Sequence, residues 1–397
     1  MPKNPIAPTL DEIRDRPDAR GESLRVLHLH SGNIMGGVES MLLTLAECAN
    51  LCPDLKQSFA TTFDDVFAAR LRAAGATVLL LPQVKLRHLP SIYQSRHELL
   101  ALLKQSHFDV VISHSPWVQA IFGDVVRDCG IPLVFWMHNE FDGHWLQRLA
   151  SFHPPDFAIC NSKFTRSTLE RCYSRVRSTV LHYPIRVRFL SKTREAMREE
   201  LGISSDDVVI LSAARMESWK GHHNLIRAAG RILTTEPWRI LIAGAPNSPA
   251  DSAYFESLQR EASTSSAADR IRFLGFRSDV PELMSASDIH CQPNEKPEPF
   301  GIVFIEALQA GVPVVTYAMG GPREILDDST GILVPPGDPN GLAAALNRLI
   351  ENRALRMEKG HAGPARAAAL CDPAQQMQRL TETLRSVVER GQAVTVA

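Results

Sequence analysis

Two glutamates, Glu298 and Glu306, bracket the stretch Pro299-Phe300-Gly301-Ile302-Val303-Phe304-Ile305. Pro299 disfavours the helical region for Glu298, which predicts a helix starting near Phe300 or Gly301. Val303, Ile305, Ala307, Leu308 and Ala310 continue it, and Gly311 then Pro313 stop it. The amides of Gly301, Ile302 and Val303 then have no intrahelical partner and form an anion site at the positive end of the helix dipole. Gly301 lets a ligand approach closely. Glu306 lies roughly 1.5 turns further in, where a carboxylate can take two neighbouring hydroxyls, as on a ribose. Glu298 faces whatever lies beyond the anion. A sugar, a phosphate group and a ribose would fit in that order. The alternative is a loop acid followed by a helix with one exposed glutamate.

A second constellation is cationic. Val208 to Arg215 reads as a strand, Ser218 to Gly221 as a short loop, and Asn224-Leu225-Ile226 as the next helix. Arg215 at the strand end and Lys220 near the helix start would put a planar fork and a point charge on one cleft edge, as a pyrophosphate requires. Two ordinary surface cations are the alternative. No Asp-x-Asp occurs in the chain, so a metal clamp on a diphosphate lacks its usual ligands, and no cofactor or metal is expected.

Elements that must hold these groups follow from the apolar pattern. Leu24–His30 alternates as a first strand, followed by Gly36-Gly37-Val38-Glu39 and a helical run with Met41, Leu42, Leu45 and Ala49 on one face. The glycines match neither a dinucleotide fingerprint nor a P-loop, and Gly36 and Gly37 read either as a tight turn or as a close approach to a phosphate or sugar. Further strands are expected at Phe59–Phe63, Ala76–Leu81, Asp109–Ser113, Pro132–His138, Phe157–Asn161 and Ser178–His182, then Val208–Arg215, Arg239–Ala245, Ile271–Arg277, Asp288–Pro293 and Pro313–Tyr317. Helical segments lie between most of them, which predicts α/β architecture with mainly parallel sheets covered on both faces. Ligands in such sheets sit beyond the carboxyl ends of the strands, which flags His114, His138, Asn139, Asn161 and Ser162. His138 could equally cap its strand, and Ser162 is expected to cap the next helix.

Length and composition agree with two domains. The chain has 397 residues, 44% of them hydrophobic and 22% charged, enough apolar side chains for more than one core. The formal net charge of −1 gives no global case for nucleic acid. No apolar run approaches the roughly 18 residues of a bilayer span, and the acidic N-terminus is no signal peptide. Seven scattered cysteines read as reduced cytoplasmic thiols. Cys48 and Cys52 could share a helix face, as packing rather than as zinc ligands. The expected boundaries are a disordered tail at 1–23, domains at 24–187 and 188–372, and a C-terminal helix at 373–397. The basic stretch 85–97, Lys85 to His97, reads as a solvated helix face or as a peripheral contact with the inner membrane surface.

The run Glu-Pro-Phe-Gly-Ile-Val-Phe-Ile-Glu-Ala-Leu at 298–308 resembles the E-x7-E motif of retaining glycosyltransferases of family 4, which have the GT-B fold. Arg215-Met216-Glu217-Ser218-Trp219-Lys220-Gly221 is similar to that family's G-R-L-x-x-x-K-G element, with Ala214 and Met216 as mild departures. Gly36-Gly37-Val38-Glu39 looks like its G-G-x-E stretch. Ile271–Arg277, the turn Met319–Glu324 and Gly331–Asp338 are similar to further family elements, so the resemblance covers most of residues 24–390. It implies GT-B architecture: two Rossmann-like, doubly wound parallel-sheet domains facing a central cleft. It implies retaining transfer of a hexosyl unit from a UDP- or GDP-linked sugar to a hydroxyl acceptor, a sugar or lipid-linked sugar, in polysaccharide or glycolipid assembly. It assigns Arg215 and Lys220 to the diphosphate, His138 to the donor sugar near its reacting carbon, and Gly36 and Gly37 to the phosphate and acceptor side. Phe276 and Arg277 would lie at the nucleobase, and Phe300 to Val303 with Glu306 along the donor. The alternatives are a sugar-nucleotide epimerase of GT-B fold and a non-catalytic sugar-nucleotide binder.

Overall fold

The computed structural model describes residues 23–32 and 35–395, so the expected N-terminal tail lies almost wholly outside the described residues. The chain divides into two compact units. The first ends at Ile185 and resumes at Asp372; the second is Arg186–Cys371.

The first unit is built on a seven-stranded sheet in the order β3-β2-β1-β4-β5-β6-β7. Its strands are β1 Leu24–His30, β2 Leu55–Thr61, β3 Thr77–Leu80, β4 Val110–Ser113, β5 Leu133–Met137, β6 Phe157–Cys160 and β7 Ser178–Val180. All pairings are parallel. A sheet covered by helices on both faces needs strands that are apolar on both faces, and β4 and β5 are buried throughout. β2 begins at Leu55, four residues before the expected Phe59, because it pairs with β1 over its whole length, from Leu24 with Leu55 to His30 with Thr61. Polar Lys56, Gln57 and Ser58 hid that extension. The helix Gly37–Glu47 ends before Cys48, and one 3-10 turn, Ala49–Leu51, follows. Cys48 and Cys52 therefore do not share a helix face, which corrects that expectation. The last helix, Pro373–Thr395, belongs to this unit: Met377, Leu380 and Leu384 are buried and the Arg379 guanidinium donates to the Val180 carbonyl (3.2 Å).

The second unit carries a six-stranded parallel sheet in the order β10-β9-β8-β11-β12-β13. Its strands are β8 Val208–Ala213, β9 Trp238–Ala243, β10 Ile271–Gly275, β11 Ile289–Cys291, β12 Val314–Tyr317 and β13 Gly331–Val334. Ile210, Ile240 and Ile242 meet Leu225, Leu258, Leu342 and Leu346 from the helices in one core. Both sheets reverse strand order once, between β1 and β4 in the first unit and between β8 and β11 in the second. At such switch points the loops leaving the two central strands diverge and open a crevice for ligands.

Candidate active site

In the second unit, the loops after β8 and β11 carry the candidate residues Arg215, Lys220 and Glu298. Gly301 caps the helix Ile302–Gln309 with φ +103°, and a Cβ there would stand 2.4 Å from the Phe304 ring, so the turn into the helix admits only glycine. The Phe304 amide donates to the Gly301 carbonyl (3.1 Å). The amides of Ile302 and Val303, ahead of it, have no carbonyl to pair with inside the helix. The helix thus starts one or two residues later than expected, and its amino end still presents free donors and a positive dipole.

Glu298 is fixed from three sides. Its carbonyl accepts from the Gly321 amide (2.7 Å), it bridges Gly320, and its carboxylate pairs with the Lys220 ammonium. That ion pair is 2.7 Å long with side chains only 12% and 13% exposed, and the Asn294 amide donates to the same Glu298 oxygen at 2.8 Å. Lys220 also sits 3.8 Å above the Trp219 ring, a cation–π contact. Two backbone features hold the loops together: the Glu295 amide donates to the Trp219 carbonyl (2.7 Å), and Gly221, at φ +75°, lies so close to Pro293 that a Cβ would stand 1.8 Å from its carbonyl oxygen. Lys220 and Glu298, 78 positions apart, therefore meet because their loops flank one switch point. Arg215 ends in an exposed ion pair with Glu217 (2.8 Å). Buried His222 tethers that turn through the Arg215 carbonyl (3.2 Å), and burial lowers its pKa to about 4.

Glu306 is half-buried, one helical face along from the amino end. Burial raises its pKa, with the Arg188 charge opposing. Phe276 is 78% exposed just beyond β10, where a flat ring is open to stacking. Arg277 is committed elsewhere: it pairs with Asp279 (2.6 Å) and Glu200 (3.2 Å), which leaves its guanidinium bound to two carboxylates. Phe300 is buried beneath the helix start.

In the first unit, Gly36 and Gly37 open the helix Gly37–Glu47. Glu39 closes that turn, with one oxygen on the Gly36 amide (2.9 Å) and the other on His30 Nε2 (2.7 Å). Burial pushes the Glu39 carboxyl up, and the His30 bond and charge outweigh it and leave the pKa below the ordinary value. Ser162 caps the helix Lys163–Leu169, as expected, by accepting from the Thr165 amide (3.0 Å). His138 is buried, with both ring nitrogens bonded inside the protein, to His114 (3.0 Å) and Tyr183 (2.6 Å). Its imidazole so held offers neither nitrogen to a sugar. In the basic stretch, Arg96 makes a two-pronged pair with Asp124 (2.7 and 2.7 Å), while Leu89 and Tyr93 are exposed. Trp219, Asn294, His114 and Tyr183 were not singled out for these contacts in the sequence; only the strand-end rule touched one of them, His114. Among the described residues no group of three or more His, Cys, Asp or Glu is placed to hold a metal ion, and no helix is long and apolar enough to cross a membrane.

The model of glycosyl transferases group 1 matches residues 193–366, and that of glycosyltransferase family 4 matches residues 35–189, one in each unit. The chain belongs to this glycosyltransferase family. Among curated relatives, the D-inositol 3-phosphate glycosyltransferase of Geodermatophilus obscurus is 27% identical over 365 residues, covering 85% of this glycosyltransferase and 79% of that protein. The lipopolysaccharide core biosynthesis glycosyltransferase LpsE of Rhizobium meliloti is 27% identical over 229 residues, 55% of this chain and 62% of the relative. Among solved structures, Anabaena Alr3699/HepE in complex with UDP and glucose superposes with a TM-score of 0.79 at 23% identity, covering 91% of this chain and 100% of that one. The two parallel-sheet, Rossmann-like domains of this glycosyltransferase are those of the GT-B architecture.

Proposed function

We propose that the enzyme moves a hexosyl unit from a nucleoside diphosphate sugar to a hydroxyl acceptor with retention of anomeric configuration and without a metal ion. The observation that carries the reading is the Lys220–Glu298 pair at the amino end of the Ile302–Gln309 helix. A cation, an acid and unpaired helix amides at one switch point suit a sugar joined to a phosphate. Lys220, Arg215 and the Gly301–Val303 amides stabilise the departing diphosphate, which is where charge develops in the transition state. Glu298 holds hydroxyls of the transferred sugar, and Glu306 holds the ribose. Phe276 is placed to stack on the base, whereas Arg277 serves the fold. Gly36 and Gly37 serve the donor's phosphate and the acceptor, and His138 acts through its place at the end of β5 rather than as a free acid or base. No side chain stands out as nucleophile; as the family resemblance implies, the acceptor hydroxyl attacks on the face the leaving group departs from, and a phosphate oxygen of the donor receives its proton.

The Anabaena neighbour held UDP and glucose, which supports a UDP-linked donor ahead of a GDP-linked one. Relatives that act on inositol phosphate and on lipopolysaccharide core support a phosphorylated polyol or a lipid-linked sugar as acceptor, in polysaccharide or glycolipid assembly at the cytoplasmic side of a membrane. The test is incubation with UDP-, GDP- and ADP-sugars and a panel of these acceptors, scoring nucleoside diphosphate release and product. Acceptor-dependent release supports the reading. Epimerised sugar nucleotide without transfer, or binding without turnover, would select an epimerase or a binding protein instead.

A further inference from the structure

Five side chains, four of them buried and Gln57 half-buried, cross the first unit at the carboxyl side of its sheet. His28 Nε2 meets Gln57 Oε1 (3.1 Å), His28 Nδ1 meets His114 Nε2 (2.9 Å), His114 Nδ1 meets His138 Nε2 (3.0 Å), and His138 Nδ1 meets the Tyr183 hydroxyl (2.6 Å). The row runs from β2 through β1, β4 and β5 to the chain just beyond β7. The three imidazoles lie edge to edge and nearly coplanar, with centroids 5.1 and 5.3 Å apart and planes 24° and 13° apart, and Trp136 lies against His114, His138 and Tyr183.

Hydrogen-bond polarity in this row is determined from its ends. The Gln57 amide nitrogen donates to the Leu45 carbonyl (3.3 Å), so its oxygen faces His28 and must accept. His28 is then protonated on Nε2, and its Nδ1, if the ring is neutral, accepts from His114 Nε2–H. The same step repeats at His114 and at His138, whose Nδ1 accepts from the Tyr183 hydroxyl. The other end agrees: the Asn161 amide nitrogen donates to the His138 carbonyl (2.9 Å) and to the Tyr183 oxygen (3.0 Å), leaving the Tyr183 proton for His138. With the Tyr183 hydroxyl donating to His138, every donor and acceptor is matched when all three rings are neutral Nε2–H tautomers. An added proton would force the rings between it and Tyr183 into the other tautomer and turn the Tyr183 hydroxyl away from His138.

We propose that His28, His114 and Tyr183 are positioning residues for His138, a polarised row that holds the carboxyl end of β5 neutral and in one place. Burial also disfavours charge here: it lowers His28 to about 4 and His114 and His138 well below their ordinary value. The titratable groups facing the row are Tyr183 itself and the His30–Glu39 pair, with the His30 ring 6.3 Å from His114. The role in catalysis rests on the glycosyl-transfer reading; the tautomer pattern does not.

Long-range proton–nitrogen NMR of the 15N-labelled protein tests the pattern without substrate. Expected are three neutral Nε2–H signatures, unchanged from pH 7.5 to pH 5.5 while exposed histidines titrate. An Nδ1–H signature or ordinary titration at any of the three would overturn the row. Two variants test positioning. His28→Leu removes the acceptor for His114, whereas His28→Asn puts an oxygen where Nδ1 stood. With Leu, the His138 nitrogen shifts should move and kcat should fall about 10- to 100-fold with the donor KM little changed; Asn should restore both. Gln57→Leu, at a half-buried site, repeats the test should His28→Leu fold poorly. Loss of melting temperature with His138 shifts and kcat intact would make the row packing alone and refute positioning. A row with these signatures in a protein that turns over no sugar nucleotide would refute the transferase reading and leave the tautomer assignment standing.

Discussion

Lys220 and Glu298 should fail together. Their ion pair is 2.7 Å long and mostly withdrawn from water, and Asn294 shares the same Glu298 oxygen. Lys220→Ala removes a cation from the diphosphate site and also leaves the Glu298 carboxylate with only a neutral donor. The first loss costs about 10²–10³ in kcat. Breaking a largely buried pair by deleting one partner costs about 3 kcal/mol, which should appear as a lower melting temperature. Glu298→Gln keeps the shape, removes the negative charge, and lowers kcat while leaving Lys220 available to phosphate. Residues within one ion pair couple by about 0.5–3 kcal/mol, so the double mutant should be much less impaired than the product of the two single effects. The assay is a double-mutant cycle on kcat/KM for the donor, with melting temperatures of all four proteins. Additive effects, or near-normal turnover in Lys220→Ala, would refute the placement of these residues at one reacting centre.

Glu306→Gln should raise the donor KM more than it lowers kcat, because a ribose contact is equal in ground and transition states; equal changes in both would remove the ribose assignment. Full chelation with EDTA should leave transfer intact, and loss of activity that returns with Mn²⁺ or Mg²⁺ would show a metal requirement. Acid should unfold the protein early. His28, His222 and His290 are buried, with pKa values lowered to about 4, so between pH 6.5 and 4 the unfolded chain binds more protons. Stability is full above 6.5 and is lost as pH falls, by about 3 kcal/mol for each histidine at pH 4. Circular dichroism should place the acid midpoint between pH 4 and 6, and a fully native signal at pH 4 would contradict these burials.

Much of the local structure around the candidate site was legible because its logic is local. Pro299, Gly301 and Gly311 mark the helix limits through backbone sterics, and the strand-loop-helix rhythm around Arg215 and Lys220 needs no tertiary information. What lay hidden is long-range pairing. Nothing near Lys220 names Glu298 or Asn294 as its neighbours, and Arg277 looked available until Asp279 and Glu200 were seen to hold it. In the first unit the same polar residue caused a miss and explains it. Gln57 made the start of β2 read as a loop, yet it is the acceptor that ends the histidine row. A polar side chain with a buried partner inside a strand breaks the apolar pattern for a reason that only the fold displays.

The central claim is retaining transfer from a sugar nucleotide, and the stereochemistry of the product tests it most directly. Proton NMR of the reaction mixture, from an α-linked UDP-hexose and an acceptor that supports nucleotide release, reads the new anomeric centre as it forms. An α-linked product appearing in step with UDP, with Glu298→Gln slowing its formation and leaving its configuration unchanged, is the predicted result. A β-linked product as the first species formed would contradict the account.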